Sequence, residues 1–406
     1  SNTNINFSNE IFDNAILEIN VEQVTNDTYL KKFKPSSKLI ENKNLMHNFF
    51  KLDGYNKDSS LSVEIESFED LTKPTSDRYE YIYPNIDYSK EFMNENFPGF
   101  FSLSSNFYQK QFDTNKYTTS LVTDLMYNTE TKFSDRGMLK DLQILLKNPN
   151  TINKKGSNNE SDTETKLLTK LMYSISYPLK KEGLAYDKLL KPSLSLRFSP
   201  NNTKNISAAD RVLNVNNINS FNRLSISDGV EGGQSLTAGL DYKLKSKEGE
   251  EKISLNLAQV YRDESNPDLP LNSTLNNKYS DIIGNVKFNL FDNLTFEYDF
   301  IADNNFNRLN YNLLNTSLYV NNFITSFEYL EERGAIGTKS YIRNQTEYSF
   351  DENNSLSFST RRNRELEMTE FYNLVYQYEN DCLKAAIEYN KNFYSDTDID
   401  PEEELL

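Results

Sequence analysis

Residues 235–244 read Ser235-Leu236-Thr237-Ala238-Gly239-Leu240-Asp241-Tyr242-Lys243-Leu244. Leu236, Ala238, Leu240, Tyr242 and Leu244 fall on one parity, and Ser235, Thr237, Gly239, Asp241 and Lys243 on the other. Successive strand residues point to opposite faces, so an extended chain here has one apolar face and one wet face. The same rhythm returns at Leu294, Phe296, Tyr298 and Phe300 against Thr295, Glu297 and Asp299. It returns again at Leu61, Val63 and Ile65 against Ser62, Glu64 and Glu66. No helical periodicity competes in these windows.

Working outward, the rhythm predicts about nineteen strands, the first over 12–24 and the last over 383–395. Within this series, 136–147 and 162–181 bracket the link 148–161, and 185–198 and 234–246 bracket the link 199–233. Some connections are tight and rich in Asn, Asp and Ser, as turn chemistry requires: Asn56-Lys57-Asp58, Ser134-Asp135, Asp292-Asn293 and Glu352-Asn353. Others are long: 25–44, 71–78, 148–161, 199–233, 263–279, 331–337 and 396–404. Outer-membrane barrels keep short turns on the periplasmic side and long loops outside. Counting back from 396–404 as an outer loop places every long link outside and every tight turn inside, a sorting that a soluble sandwich has no reason to show. The expected fold is therefore all-β, a large antiparallel transmembrane β-barrel of the outer-membrane type. Residues 1–406 form one partial barrel domain in this reading, and a Tyr-rich secreted β-sandwich or β-helix is the alternative.

Composition fits. Apolar residues make up 37% of the chain, too few for helical spans, and no run of about 18 apolar residues occurs. A barrel accounts for this because half of every strand faces a wet lumen. Tyr and Phe number 26 each, and many Tyr sit at strand ends, where an amphipathic ring suits the membrane interface. The net charge of -16 argues against a nucleic-acid partner, which needs a basic surface. Cys382 and His47 are the sole residues of their types, so a zinc site of the usual kind is not expected and a Ser-His-Asp triad could be built only on His47. His47 opens a strand with no motif around it and reads as an ordinary wall or loop histidine, so no catalytic residue, cofactor or metal is assigned.

The chain opens on Ser1-Asn2-Thr3 without a Met, a basic region or an apolar core, and it stops at Leu405-Leu406, two residues into what reads as another strand. It is expected to be an internal fragment of a longer outer-membrane protein. Of the long links, 148–161 reads as polar, low in complexity and mobile. The 199–233 link differs because Val212, Leu213, Val215, Ile218, Phe221, Leu224 and Ile226 give it apolar anchors, and it should be ordered in the lumen mouth. In Glu231-Gly232-Gly233 the glycines read as a sharp re-entry from loop to strand, since no strand-to-helix context for a phosphate loop follows. Asp396-Thr397-Asp398-Ile399-Asp400 and Glu402-Glu403-Glu404 form an acidic outer loop, either solvated or open to divalent cations.

At this loop the sequence resembles the LPS-assembly protein LptD family of outer-membrane barrels. The resemblance is carried by Arg197-Phe198-Ser199-Pro200-Asn201, by Asn216-Asn217-Ile218-Asn219-Ser220-Phe221-Asn222-Arg223-Leu224-Ser225 and by Asp228-Gly229-Val230-Glu231-Gly232-Gly233. Thr25-Asn26-Asp27-Thr28-Tyr29-Leu30 and the stretch from Asp381-Cys382 to Asp400-Pro401 are similar to the family's early loop and carboxy-terminal end, in family order. The resemblance implies lipopolysaccharide transport in the outer membrane of a Gram-negative bacterium. It also implies an LptE lipoprotein plug, an LptA periplasmic bridge, an amino-terminal periplasmic jelly-roll and a final strand beyond the sequence. Asn216, Asn217, Phe221, Asn222, Arg223, Asp228, Glu231, Gly232 and Gly233 become candidates for a loop facing the lumen and plug.

Glu64, Glu66, Asp241, Glu297, Asp299, Asn373, Gln377 and Glu388 are the lumen-facing candidates. They line a wet cavity for a sugar-rich, phosphorylated headgroup, or they are simply the solvated inner face any large barrel needs. Cys382 falls in a periplasmic turn, and an odd cysteine is either a buried thiol or bonded to a residue outside this sequence. The resemblance favours a disulfide to the periplasmic domain, although Asp381-Cys382 stands where some relatives carry an adjacent cysteine pair. The expected activity is export of lipopolysaccharide through the lumen and sideways through a seam between the first and last strands, with no enzymatic step. A passive porin or ligand-gated importer is the alternative, sharing the strand pattern without the family stretches.

Overall fold

Alternation becomes strand along almost the whole chain, in one antiparallel sheet. The structure, a computed structural model, describes residues 2–8, 11–30, 44–73, 77–113, 116–155, 160–334, 337–393 and 403–405. In chain order the strands are β1 (Asn2–Phe7), β2 (Asn14–Asn20), β3 (Leu45–Tyr55), β4 (Ser59–Asp70), β5 (Tyr79–Met93), β6 (Gly99–Phe112), β7 (Lys116–Thr129) and β8 (Lys132–Phe133). They continue as β9 (Leu139–Lys155), β10 (Glu160–Thr165), β11 (Leu168–Ser176), β12 (Leu179–Lys181), β13 (Tyr186–Ser199), β14 (Gly233–Ser246), β15 (Glu251–Arg262) and β16 (Ile282–Phe291). The remainder are β17 (Leu294–Ala302), β18 (Leu309–Val320), β19 (Phe323–Arg333), β20 (Thr338–Ser349), β21 (Asn354–Asn363), β22 (Met368–Glu379), β23 (Lys384–Asn392) and β24 (Glu403–Leu405). Among the described residues no helix is long and apolar enough to cross a membrane, and no ladder joins β1 to β24.

The sheet is an up-and-down meander, the pairing of an outer-membrane β-barrel. Its one complication is at β9, which pairs with β7 on one side and with both β11 and β10 on the other. β10, β11 and β12 follow one line, broken at Lys166-Leu167 and at Tyr177-Pro178, where proline has no N–H to give a ladder. β8 likewise continues the line of β7 against β9.

Each of the expected segments carries a strand, with three corrections. β1 was not anticipated, because Asn2, Asn4 and Asn6 leave only Ile5 and Phe7 to carry the apolar parity. β24 begins at Glu403, inside the stretch read as an acidic loop; residues 394–402 lie outside the described residues. The largest correction concerns 148–161. β9 runs on to Lys155 and β10 starts at Glu160, so Asn148 to Lys155 is strand rather than mobile loop. Partners on both sides satisfy its backbone, and Thr118 Oγ1 donates to Asn153 Oδ1 at 2.9 Å. Ladder pairing of this kind is invisible in local composition.

The rims sort largely as expected, with exceptions. The links after β2, β4, β13, β15, β19 and β23 lie on one rim, and the turns 56–58, 247–250, 292–293, 321–322 and 380–383 on the other. The β6–β7 link, 113–115, and the β21–β22 link, 364–367, are short yet belong to the long-loop rim, so not every tight turn lies on the opposite one.

Register fixes the faces. Arg197 stands beside Ser235, Ser195 beside Thr237, Thr237 beside Val260 and Asp241 beside Asn256, all on the lumenal face. Leu194, Leu196, Leu236, Phe288, Phe327, Leu374 and Ile387 stand exposed on the other face. Exposed apolar side chains in such number suit contact with lipid.

Candidate functional site

The link 200–232 turns back onto the inner wall. Leu213, Ile218, Leu224 and Ile226 are buried with Ala258 and Val260 of β15, Ile283 of β16, and Leu269 and Leu275 of the next long loop. The lumenal parity of β15 changes from Ser254 and Asn256 to Ala258 and Val260 where this packing occurs. Phe221 packs on a second cluster with Leu145, Leu168 and Val230. Each fully buried Leu or Ile contributes about 1.5–3 kcal/mol, which outweighs the disorder the loop would otherwise keep.

Asparagine shapes the loop from within. Asn214 N–H donates to Asn217 Oδ1 at 2.8 Å, Asn216 N–H donates to Asn214 Oδ1 at 2.9 Å, and Asn217 Nδ2 donates to Val212 O at 2.9 Å. Asn222 brackets a turn by donating to Ile226 O at 2.9 Å and accepting from Ile226 N–H at 3.1 Å. Short amide side chains replace the water that buried backbone would otherwise need.

An ionic lock joins loop to wall. Arg223, fully buried, donates through Nε to Glu231 Oε2 at 2.8 Å and through Nη2 to Glu231 Oε1. It also donates to Thr237 Oγ1 at 3.1 Å and Ser235 Oγ at 3.0 Å on β14. Arg262 of β15 donates to Glu231 Oε1 and to Gly232 O, both at 2.6 Å. Arg197 of β13 donates to Thr237 Oγ1 at 2.7 Å and to the carbonyl of Ser220 at 2.9 Å. Lys170 of β11 donates to Phe221 O and lies 4.8 Å from the centre of its ring. Lys147 of β9 bridges Asp124 and the carbonyl of Ser227, each at 2.6 Å. Burial alone would push the Glu231 carboxyl up. The charge and hydrogen bond of Arg223, with Lys170 and Arg262 behind, outweigh it and hold the pKa at about 2.

The loop candidates thus divide. Arg223, Glu231 and Gly232 are buried in the lock, Asn217, Phe221 and Asp228 are half-buried, and Asn216 and Asn222 are exposed. Asp228 pairs with Lys204 within the loop. Gly233 has φ +82°, and a Cβ on Gly232 would lie 2.2 Å from Asn201 O, so both glycines make the re-entry that the sequence suggests.

The lumen-facing candidates are spread around the inner face rather than gathered. Asn285 Nδ2 donates to Glu297 Oε1 at 3.1 Å and to Asp299 Oδ1 at 2.7 Å, and Lys287 pairs with Glu297 at 2.7 Å. Asn373 Nδ2 donates to Glu388 Oε1 at 2.8 Å, Gln377 Nε2 donates to Glu379 at 2.9 Å, and Asp241 stands beside Lys191. Glu64 and Glu66 lie on β4 near His47. Cys382 is a free, exposed thiol in the β22–β23 turn.

Sequence reasoning gave no role to the wall cations Lys147, Lys170, Arg197 and Arg262, of which Arg197 entered only within a stretch of family resemblance. Their signal was available: each occupies the polar parity of a strand near the loop, as in Leu194-Ser195-Leu196-Arg197-Phe198. Between the loop tip and β3–β7 a cavity of about 410 Å³ is lined by Asp53, Asp87, Ser104, Asn106, Asp124 and Asp228 among others, a polar room with hydrogen-bonding walls.

Among solved structures, the siderophore receptor PirA from Acinetobacter baumannii is 9% identical, with a TM-score of 0.44, 87% of this chain covered and 66% of that one. The ferric enterobactin receptor PfeA, solved in complex with BCV-L6, is 8% identical, with a TM-score of 0.43, 87% of this chain covered and 67% of that one. The chain thus spans 66% of the length of the first of these receptors. No curated protein matches it. Comparison with known families matches residues 2–360 to LptD, LPS transport system D. With that match running from β1 into β21 and across the locked loop, the chain belongs to the LptD family of outer-membrane barrels.

Proposed function

We propose that this barrel exports lipopolysaccharide. The molecule enters from the periplasm, its sugar-rich head passes along the polar inner wall, and it leaves sideways into the outer leaflet through a seam between the first and last strands. The observation that carries this reading is the family match over residues 2–360. Two features support it. Much of the inner wall away from the docked loop is polar, with contacts distributed over several strands, the kind of lining that passage requires. The seam is also the cheapest place to open, since closure of a barrel depends on one pairing of its ends. A lipoprotein plug of the LptE type sits against the exposed loop edge at Asn216 and Asn222 in this reading, and a bridge of the LptA type delivers cargo from below. Cys382 forms a disulfide with the periplasmic domain, fixing it beneath the lumen. Energy comes from elsewhere in the transport chain.

Photocrosslinking in living cells tests the proposal. A crosslinking residue at lumenal Glu297 in the full-length protein should form adducts that react with antibody to lipopolysaccharide, and one at lipid-facing Phe296 should form far fewer. Equal yields at the two positions, or none at Glu297 in a correctly inserted barrel, would overturn transport through the lumen.

A further inference from the structure

His47, near the start of β3, and Glu64 and Glu66 on β4 each bring one ligand atom to a common point, and these atoms all lie within 4.8 Å of one another. The strand register produces this arrangement. Glu64 and Glu66 are two apart and share the lumenal face, Phe49 stands opposite Glu66, and His47 is its diagonal neighbour on β3. His47 Nε2 is 3.1 Å from Glu66 Oε2. The imidazole is held in orientation by Phe68, whose ring stacks on it at 4.2 Å and 9°, with Phe49 tilted against it at 4.9 Å. Its backbone is pinned as well, the His47 N–H donating to Glu22 at 2.9 Å and the His47 carbonyl accepting from Asn20 at 2.8 Å.

Charge points the same way. Lys51, opposite Glu64 in the register, has its Nζ on Asp53 at 3.1 Å. Among the described residues Glu64 makes no ion pair within 4 Å, and its carboxylate stands within 4.8 Å of that of Glu66. Like charges so close cost free energy unless a proton or a cation intervenes.

We propose that His47, Glu64 and Glu66 form a binding site for one divalent transition-metal ion on the lumenal face of β3 and β4. One imidazole nitrogen and two carboxylate oxygens select zinc, cobalt or nickel over calcium and magnesium, which take oxygen alone. The bound ion cancels the charge of the carboxylate pair and staples the two strands. Three protein ligands leave at least one position open to the lumen for exchangeable water. This site is independent of the transport reading above.

Isothermal titration of the purified full-length protein in detergent, without a polyhistidine tag, tests the site with zinc, and cobalt absorbance reports the ligand set. The expected result is one equivalent of zinc lost from the high-affinity phase, with affinity weakened at least 10-fold, in both His47→Gln and Glu66→Gln. Glu297→Gln, on the lumenal face elsewhere, should bind as the parent does. Heat-modifiable mobility on electrophoresis shows that each variant still forms its barrel, and Glu64→Gln replaces any variant that does not. Zinc binding unchanged in His47→Gln, calcium binding as tight as zinc, or no zinc binding at all would overturn the proposal.

Discussion

Arg223 divides its guanidinium between one loop carboxylate and two hydroxyls of the wall, so its loss leaves Arg262 as the one remaining hydrogen-bond donor to the Glu231 carboxylate among the described residues. Breaking a buried pair in this way costs about 3–5 kcal/mol. Arg223→Ala should therefore free the 200–232 loop to proteinase K while the barrel itself keeps its heat-modifiable mobility; an uncut loop would show that apolar packing holds it alone. Acid probes the same lock. Glu231 is held at about 2 against an ordinary 4.5, so its contribution is complete above about pH 4.5 and is lost as pH falls through about 2. Pepsin should leave the loop intact at about pH 3.5 and cut it on approach to pH 2, and in Glu231→Gln this dependence should vanish. Cutting that begins near pH 4.5 in the parent would show that the carboxyl is not held down. The sequence exposed Arg223 and Glu231 as parts of a motif but not their partnership with Arg197 and Arg262. Parity sorts strand residues onto two faces, whereas the docking of a loop onto one of them is a long-range event that no local window contains.

At the level of elements, the neck of the loop is the point of least tolerance. A methyl group on Gly232 meets the Asn201 carbonyl at 2.2 Å, and backbone cannot yield as a flexible side chain can. Gly232→Ala should destabilise loop docking by about 1–3 kcal/mol, read as faster proteolysis within 200–232. Gly337→Ala, where nothing lies within 4 Å, should leave the rate unchanged. Equal rates in the two variants would mean that the neck opens freely. The strands were legible because lipid and lumen sort side chains strictly by parity, as Leu236 and Thr237 do in adjacent positions. Where a single isoleucine is all that marks the apolar parity, as in Asn2 to Asn6 or Asn148 to Asn153, the code is faint and ladder partners decide.

For the molecule as a whole, the sorting of connections onto two rims predicts which side faces out. In a Cys382→Ser background, cysteines at Glu264 and Asn307 should react with an impermeant maleimide on intact cells, and cysteines at Asp58 and Asn353 should not. The reverse pattern would invert the barrel. Asn158, an equally natural outer probe from the sequence, lies outside the described residues. Rim assignment was legible where connection length tracks side, and it failed at 113–115 and 364–367, where short links on the long-loop rim obey no rule of composition. The lock has one more consequence, in time rather than space. Its sockets come from β9, β11, β13, β14 and β15, so they exist only once that stretch of wall has been laid side by side. A barrel stalled before then leaves its largest loop open to proteases, and one that has passed this stage has sealed it. The protected loop is thus a dated stamp of completed assembly, by which finished barrels differ from stalled ones before any cargo has moved.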